Sequence, residues 1–229
     1  DKAMAKTVMA AHDIAQVPWR ELHHHDPFGE PGAEAAFAEL GDTVFVKPAN
    51  MGSSIGVAKV RRTDGAEALL DAVKDAFRYD DVVVLEAGVA GRELEVAVLG
   101  NDDPKASEVG EVTAGADFYD YADKYFDGIA QTTVPADLDA DVAAAARSLA
   151  VRTFRAMRCH GMARVDLFLT DDDRLLVNEV NTIPGFTPIS MYPKMWEASG
   201  LGYPELIDDL VRLALERHTL RSSREVHPD

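Results

Sequence analysis

The stretch from Arg164 to Ser190, RVDLFLTDDDRLLVNEVNTIPGFTPIS, leaves a chain few ways to fold. Two apolar-polar alternating runs flank the triple aspartate Asp171-Asp172-Asp173. Alternation with period two marks strands, and acidic residues favour the tight turn between them. The pattern predicts antiparallel strands at about 161–169 and 174–181. Successive side chains of a strand point to opposite faces. Arg164, Asp166 and Phe168 therefore share one face, and Val165, Leu167 and Leu169 take the other. On the second strand Val177, Glu179 and Asn181 share a face. If the polar faces coincide, a guanidinium, two carboxylates and an amide oxygen converge.

Such a set suits a hard divalent cation. Mg²⁺ prefers oxygen ligands and is usually held by one or two carboxylates together with nucleotide phosphates. Asp166, Glu179 and Asn181 offer those oxygens, and Arg164 offers a fork for a carboxylate, a phosphate or a developing oxyanion. Periodicity alone leaves a solvated polar face on an edge hairpin equally open. The following Asn181-Thr182-Ile183-Pro184-Gly185 favours a site, since polar residues around a turn at a strand end often build one.

A second stretch, FVKPANMGSSIGV at 45–57, reads as a strand ending in lysine, then a Gly/Ser-rich turn and another strand. Gly52 and Gly56 allow close backbone approach, and the N–H groups of Ser53, Ser54 and Ile55 are placed to cradle a phosphate. This is not a Walker loop, because the lysine precedes the glycines and no helix opens with GK[ST]. A bare G-x-x-x-G also fits an ordinary hairpin turn.

Between and around these lie the remaining elements. Helices are expected at about 1–15, 33–40, 64–79, 137–157, 190–198 and 203–217, and further strands at 82–86, 91–99 and 107–113. Residues 16–32, with three prolines and His23-His24-His25, read as a solvated loop, and the tail after His218 as frayed. The segment DFYDYADKYFDG at 117–128 is too rich in aromatic residues for a generic loop and reads as functional. A net charge of −17 argues against a nucleic-acid surface and against anionic membranes, while leaving room for a small phosphate-bearing ligand where local cations reverse the field. The single cysteine, Cys159, forms no internal disulfide and reads as structural in a reducing compartment. With no apolar run long enough to span a bilayer and no signal-peptide pattern, a cytoplasmic protein is expected.

The run NEVNTIPGFT, preceded by RVDLF, resembles the C-terminal signature of ATP-grasp ligases, the D-alanine–D-alanine ligase family in particular. FVKPANMGSSIGV is similar to that family's phosphate loop, and the motifs follow the family's order along the chain. The resemblance implies an α+β ATP-grasp fold whose two subdomains, 1–91 and 92–229, hold ATP between antiparallel sheets. It implies nucleotide contacts from Lys2, Lys47, Ser54, Lys124 and Phe168, an adenine hinge at Glu86, Ala87 and Val89, and a ribose carboxylate at Glu93. Glu95, on the face of Glu93, is assigned a structural role.

By the same resemblance, Mg²⁺ or Mn²⁺ would sit on Asp166, Glu179 and Asn181. The catalytic set would be Arg164 and the Gly185 N–H as oxyanion donors, Ser53 with Tyr125 in the closing lid, and Ser190 on the acceptor carboxylate. The implied activity is ATP-dependent joining of two D-alanines through an acyl phosphate for peptidoglycan. A D-alanine–D-lactate ligase is the alternative, and Tyr125 is the residue expected to choose D-alanine. A homodimer is the expected assembly. The opening helix begins in mid-pattern, which suggests a longer parent with a further N-terminal domain carrying the first-substrate site.

Overall fold

The computed structural model describes residues 1–113 and 131–224. Its contacts divide into two compact units. The first comprises Asp1–Gly91 with Thr170–Leu176, and the second comprises Arg92–Val112, Thr132–Leu169 and Val177 onward.

In the first unit, helix α1 (Lys2–Ala11) starts where the Asp1 carboxylate accepts the Met4 N–H at 2.9 Å, satisfying one of the donors every helix start leaves open. It stops earlier than periodicity suggested, because the chain turns at His12 and Asp13 takes the left-handed region, φ +51°. Strands β1 (Trp19–His23), β2 (Thr43–Pro48), β3 (Ala58–Arg61) and β4 (Val82–Ala87) form an antiparallel sheet in the order β1-β4-β2-β3. Strand β1 corrects the reading of residues 16–32 as loop throughout. WRELH has one buried side chain, Leu22, so its local pattern is weak, and the β4 ladder recruits it instead.

Helices α2 (Glu30–Leu40) and α3 (Ala66–Ala76) share a core with the sheet: Phe37, Leu40, Leu69 and Val73 pack with Val44, Val46, Val83 and Leu85. The alternate residues of β4 face the other way, where Val84 packs with Ala3 of α1. Strand β4 is thus covered on both faces, which is why VVVLE reads as one continuous apolar run. The same period carries Glu86 to the α1 face.

In the second unit, β5 (Gly91–Gly100), β6 (Lys105–Thr113), β7 (Gln131–Thr133), β8 (Gly161–Thr170) and β9 (Leu175–Asn181) form a sheet in the order β7-β6-β5-β8-β9. Helices α4 (Ala140–Ala156), α5 (Met191–Ala198) and α6 (Tyr203–Ser222) complete the unit. At Gly110 of β6 the side chains of Met191 and Met195 of α5 occupy the space a Cβ would take, so the helix packs closely on the strand there. The buried phenol of Tyr192 on α5 donates to Val98 O of β5 at 2.8 Å. Asn101 ties the end of β5 to its neighbours, donating to Leu213 O of α6 and accepting from the Gly161 N–H. Helix α6 runs five residues past the predicted Arg217, so the start of the tail expected to fray is helical. Among the described residues no helix is long and apolar enough to cross a membrane.

Candidate active site

The β8–β9 hairpin forms as its alternation predicts, with Thr170 N donating to Arg174 O across the aspartate turn. Ala163, Val165, Leu167 and Leu169 are buried, while Arg164, Asp166 and Phe168 remain partly exposed on the opposite face. The Arg164 guanidinium grips Asp166 with two bonds, Nε to Oδ1 and Nη2 to Oδ2, each 2.7 Å. Asn181 Nδ2 donates to Asp166 Oδ2 at 2.9 Å and to Glu179 Oε1 at 3.2 Å. Arginine, two carboxylates and amide therefore meet on one face.

Glu95 of β5 joins them, 3.3 Å from Arg164 Nε. The sequence reading gave it a default structural role, although its place beside Glu93 on one strand face was a usable signal. What was missing was the neighbour relation of β5 and β8, which pairing over some seventy residues creates and no local pattern records. Burial works against the Arg164 charge, but Asp166, Glu95 and Glu179 outweigh it and push the guanidinium pKa further up. The donor set of two carboxylates and an amide that offers Oδ1 by a half-turn about its terminal bond is the chemistry a hard divalent ion prefers.

Gly185 and Ser190, predicted as an oxyanion donor and an acceptor-carboxylate ligand, are brought together. A Cβ on Gly185 would lie 3.1 Å from Ser190 Oγ, tighter than ordinary contact. Ser190 Oγ accepts the Thr187 N–H at 3.1 Å and lies 2.9 Å from Thr187 Oγ1. Tyr203 Oη donates to Phe186 O at 3.0 Å, and Phe186 stacks at tilted angles on Tyr192 and Tyr203. The loop is held from beneath by aromatic residues, while Ile183 and Ile189 stand 88% and 79% exposed above it.

In the first unit, the turn after β2 has two consecutive non-glycine residues in the left-handed region, Ser53 at φ +53° and Ser54 at φ +58°. Such strain of about 1–3 kcal/mol per residue persists where surrounding structure enforces it and concentrates at ligand-binding loops. The foot of the turn is pinned. Lys2 Nζ donates to Pro48 O at 3.1 Å and also to Met51 O, and Asp80 accepts from Asn50 N and Nδ2. Of the three N–H groups expected to cradle a phosphate, that of Ile55 is used within the turn, donating to Gly52 O at 3.1 Å. Lys47, at the end of β2, reaches Glu86 Oε2 at 2.6 Å. After β4, the N–H groups of Ala87 and Gly88 are taken by Pro18 O and Thr43 O. Glu93 lies on β5 opposite Val112. Lys124 and Tyr125 lie outside the described residues. Burial pushes the half-buried Cys159 thiol pKa up, which suits a packing role better than a nucleophile.

The family model described as D-ala D-ala ligase C-terminus matches residues 8–212. Over 224 residues the chain is 46% identical to the D-alanine–D-alanine ligase A of Salmonella typhimurium, covering 97% of this chain and 60% of the relative. The D-alanine–D-alanine ligase from Coxiella burnetii superposes with TM-score 0.84 at 41% identity, covering 96% of this chain and 58% of that one. The VanG D-Ala:D-Ser ligase from Enterococcus faecalis superposes with TM-score 0.80 at 32% identity, covering 93% and 61%. The chain thus spans about three fifths of the length of the curated relatives it matches. The α+β architecture of two antiparallel sheets is the one these ligases share.

Proposed function

The chain belongs to the D-alanine–D-alanine ligase family, and from that premise we propose that its protein joins two D-alanines at the expense of ATP. The observation that supports the reading is the convergence of Asp166, Glu179 and Asn181, a donor set that would hold a divalent cation, beside the Arg164 guanidinium that grips Asp166. A bound Mg²⁺ or Mn²⁺ supplies charge neutralisation to the phosphates of the nucleotide.

The chain's own residues do the rest. Lys2, Lys47 and the Ser53–Ser54 turn bind phosphate oxygens, Lys2 from its place at the foot of that turn, and the hinge through Val89 reads the adenine edge. Glu93 takes the ribose, with Phe168 and Lys124 completing the nucleotide contacts. The carboxylate of the first D-alanine attacks the terminal phosphate, giving an acyl phosphate and ADP. The amine of the second then attacks the acyl carbon, and phosphate leaves as the peptide bond forms. Arg164 and the Gly185 N–H stabilise the oxyanion of that step, an effect worth about 3–4 kcal/mol per donor in comparable sites. Ser190 orients the acceptor carboxylate, and Ser53 and Tyr125 close over it.

The acceptor is D-alanine in this reading, with D-lactate or D-serine as the competitor. A homodimer in the cytoplasm, where ATP and peptidoglycan precursors meet, completes it, and the net charge of −17 leaves nucleic acid without a role. Phosphate release by the full-length protein with ATP, Mg²⁺ and D-alanine, set against a panel of amino acids and hydroxy acids, is the test. D-alanine should give the highest rate and D-alanyl-D-alanine the product. Equal turnover with D-lactate as acceptor would replace the reading by its depsipeptide alternative.

A further inference from the structure

Glu86 is 3% exposed, and each of its carboxylate oxygens meets a different ammonium. Lys6 Nζ lies 3.0 Å from Oε1 and Lys47 Nζ 2.6 Å from Oε2. The two lysines have unlike surroundings. Lys6 projects from the buried face of α1 with a side chain 2% exposed, whereas Lys47 sits at the mouth of the Ser53–Ser54 turn with a side chain 16% exposed. Ala3 of the same helix packs on Val84 of β4, so the backbone that carries Lys6 is fixed to the strand that carries Glu86.

We propose that Lys6 is the standing counter-ion of Glu86, a positioning residue that frees Lys47 to exchange its carboxylate for a nucleotide phosphate. The proposal rests on the nucleotide-binding reading of Lys47 given above. A buried carboxylate with one cationic partner holds that partner tightly, because losing it strands an unpaired charge in a poorly solvated place. With Lys47 alone beside it, Glu86 would compete with every incoming phosphate. Lys6 removes the competition by staying behind. Burial works to raise the Glu86 pKa, but Lys47 and Lys6 together hold it below the ordinary carboxylate value, so the carboxylate stays charged throughout.

The test is a double-variant cycle on the full-length protein, reading ADP affinity by calorimetry and folding by thermal melting. Lys6→Met should weaken ADP binding by about tenfold or more, with Lys6→Arg closer to wild type. Adding Glu86→Gln to Lys6→Met removes the competing carboxylate and should restore most of the lost affinity, even though another polar group has been altered. A purely structural Lys6 would lower the melting temperature and leave the affinity unchanged, which overturns the proposal. So does a folded Lys6→Met/Glu86→Gln protein that binds no better than Lys6→Met. Should Lys6→Met alone fail to fold, the double variant decides, since near-wild-type affinity supports the proposal and lost affinity overturns it. A wild-type protein that binds no nucleotide overturns the functional reading itself, and the counter-ion role with it.

Discussion

Asn181 and Asp166 are fifteen residues apart in sequence and 2.9 Å apart in space, amide nitrogen to carboxylate oxygen. With the same nitrogen 3.2 Å from Glu179, one neutral side chain separates two carboxylates that would otherwise repel. The hairpin supplies rigidity, and the alternating face supplies direction. A site assembled on two paired strands varies less in geometry than one on loops, so losing a ligand should change chemistry before it changes the fold.

Glu179→Gln or Asn181→Ala is therefore expected to cripple ligation while leaving the protein folded. Phosphate release at saturating Mg²⁺ should fall at least about tenfold, on the order of 1.4 kcal/mol. Circular dichroism and melting temperature should be close to wild type. Undiminished turnover would take the cation away from these residues.

Asp166→Ala tests the other partner. Both Arg164 and Asp166 are mostly buried, with side chains 20% and 14% exposed, and the substitution removes the two-bond fork. Breaking a buried ion pair from one side commonly costs about 3–5 kcal/mol, and here Glu95 remains to share the orphaned charge, so the lower end is expected. Urea unfolding should show the loss. Adding Arg164→Met to Asp166→Ala should recover part of it, and a double variant as unstable as the sum of the singles would show that the pair is not coupled.

The hairpin, the strand before the Gly/Ser turn and the long α4 were legible because each has a strong local period. The Arg164–Asp166–Glu179–Asn181 cluster was legible for the same reason, since all four residues lie on one alternating face. What the sequence hid depends on long-range pairing. Strand β1 exists because β4 offers it an edge, and its own residues hardly alternate between buried and exposed. Glu95 meets Arg164 because β5 neighbours β8. Lys6 meets Glu86 because the sheet beneath α1 carries that carboxylate to the buried face of the helix, a relation no local pattern records.

Two glycines of the Gly/Ser turn should behave oppositely. Gly56 has φ +71°, and a Cβ there would approach Tyr79 Cδ2 to 2.7 Å and Pro48 Cγ to 2.8 Å. Left-handed backbone costs an ordinary residue about 1–2 kcal/mol before any clash is counted. Gly56→Ala should thus lower the melting temperature and weaken nucleotide binding together. Nothing lies within 4 Å of a Cβ on Gly52, so Gly52→Ala should leave stability nearly unchanged. Equal melting temperatures for the two variants would contradict the assignment of strain to Gly56.

The acid limb of stability should carry a contribution from Arg92 and Glu111. Arg92 Nε and Nη2 bond the two Glu111 oxygens at 2.7 and 2.6 Å, across the β5–β6 ladder. The hydrogen bonds from Arg92 lower the Glu111 pKa, and partial burial opposes them without cancelling them. A carboxyl whose folded pKa lies below its unfolded value adds stability that is complete above the unfolded value, about 4.3. That stability is lost as the pH falls through the lower folded value. Glu111→Gln should accordingly lower the melting temperature at neutral pH and leave a smaller difference from wild type near pH 3. A difference that grows toward acid would reverse the sign of the linkage and dismiss the pair as its source.

The last prediction concerns the joint between α5 and β5. Tyr192 is fully buried, and its hydroxyl donates to Val98 O at 2.8 Å. Burial pushes the phenol pKa well above its ordinary value, so the group is a neutral donor at any pH the protein survives. Tyr192→Phe keeps the ring, which packs on Phe186 beneath the Gly185–Ser190 loop, and removes one oxygen. The Val98 carbonyl then loses this donor in a buried place, a change worth about 1–3 kcal/mol. Because the ring stays, the loop should keep its geometry. The unfolding free energy from denaturant titration should fall by that amount, with a lower midpoint, while the Michaelis constant for the acceptor stays within about twofold of wild type. A raised acceptor constant with an unaltered midpoint would mean that the hydroxyl positions the loop and does not anchor the helix.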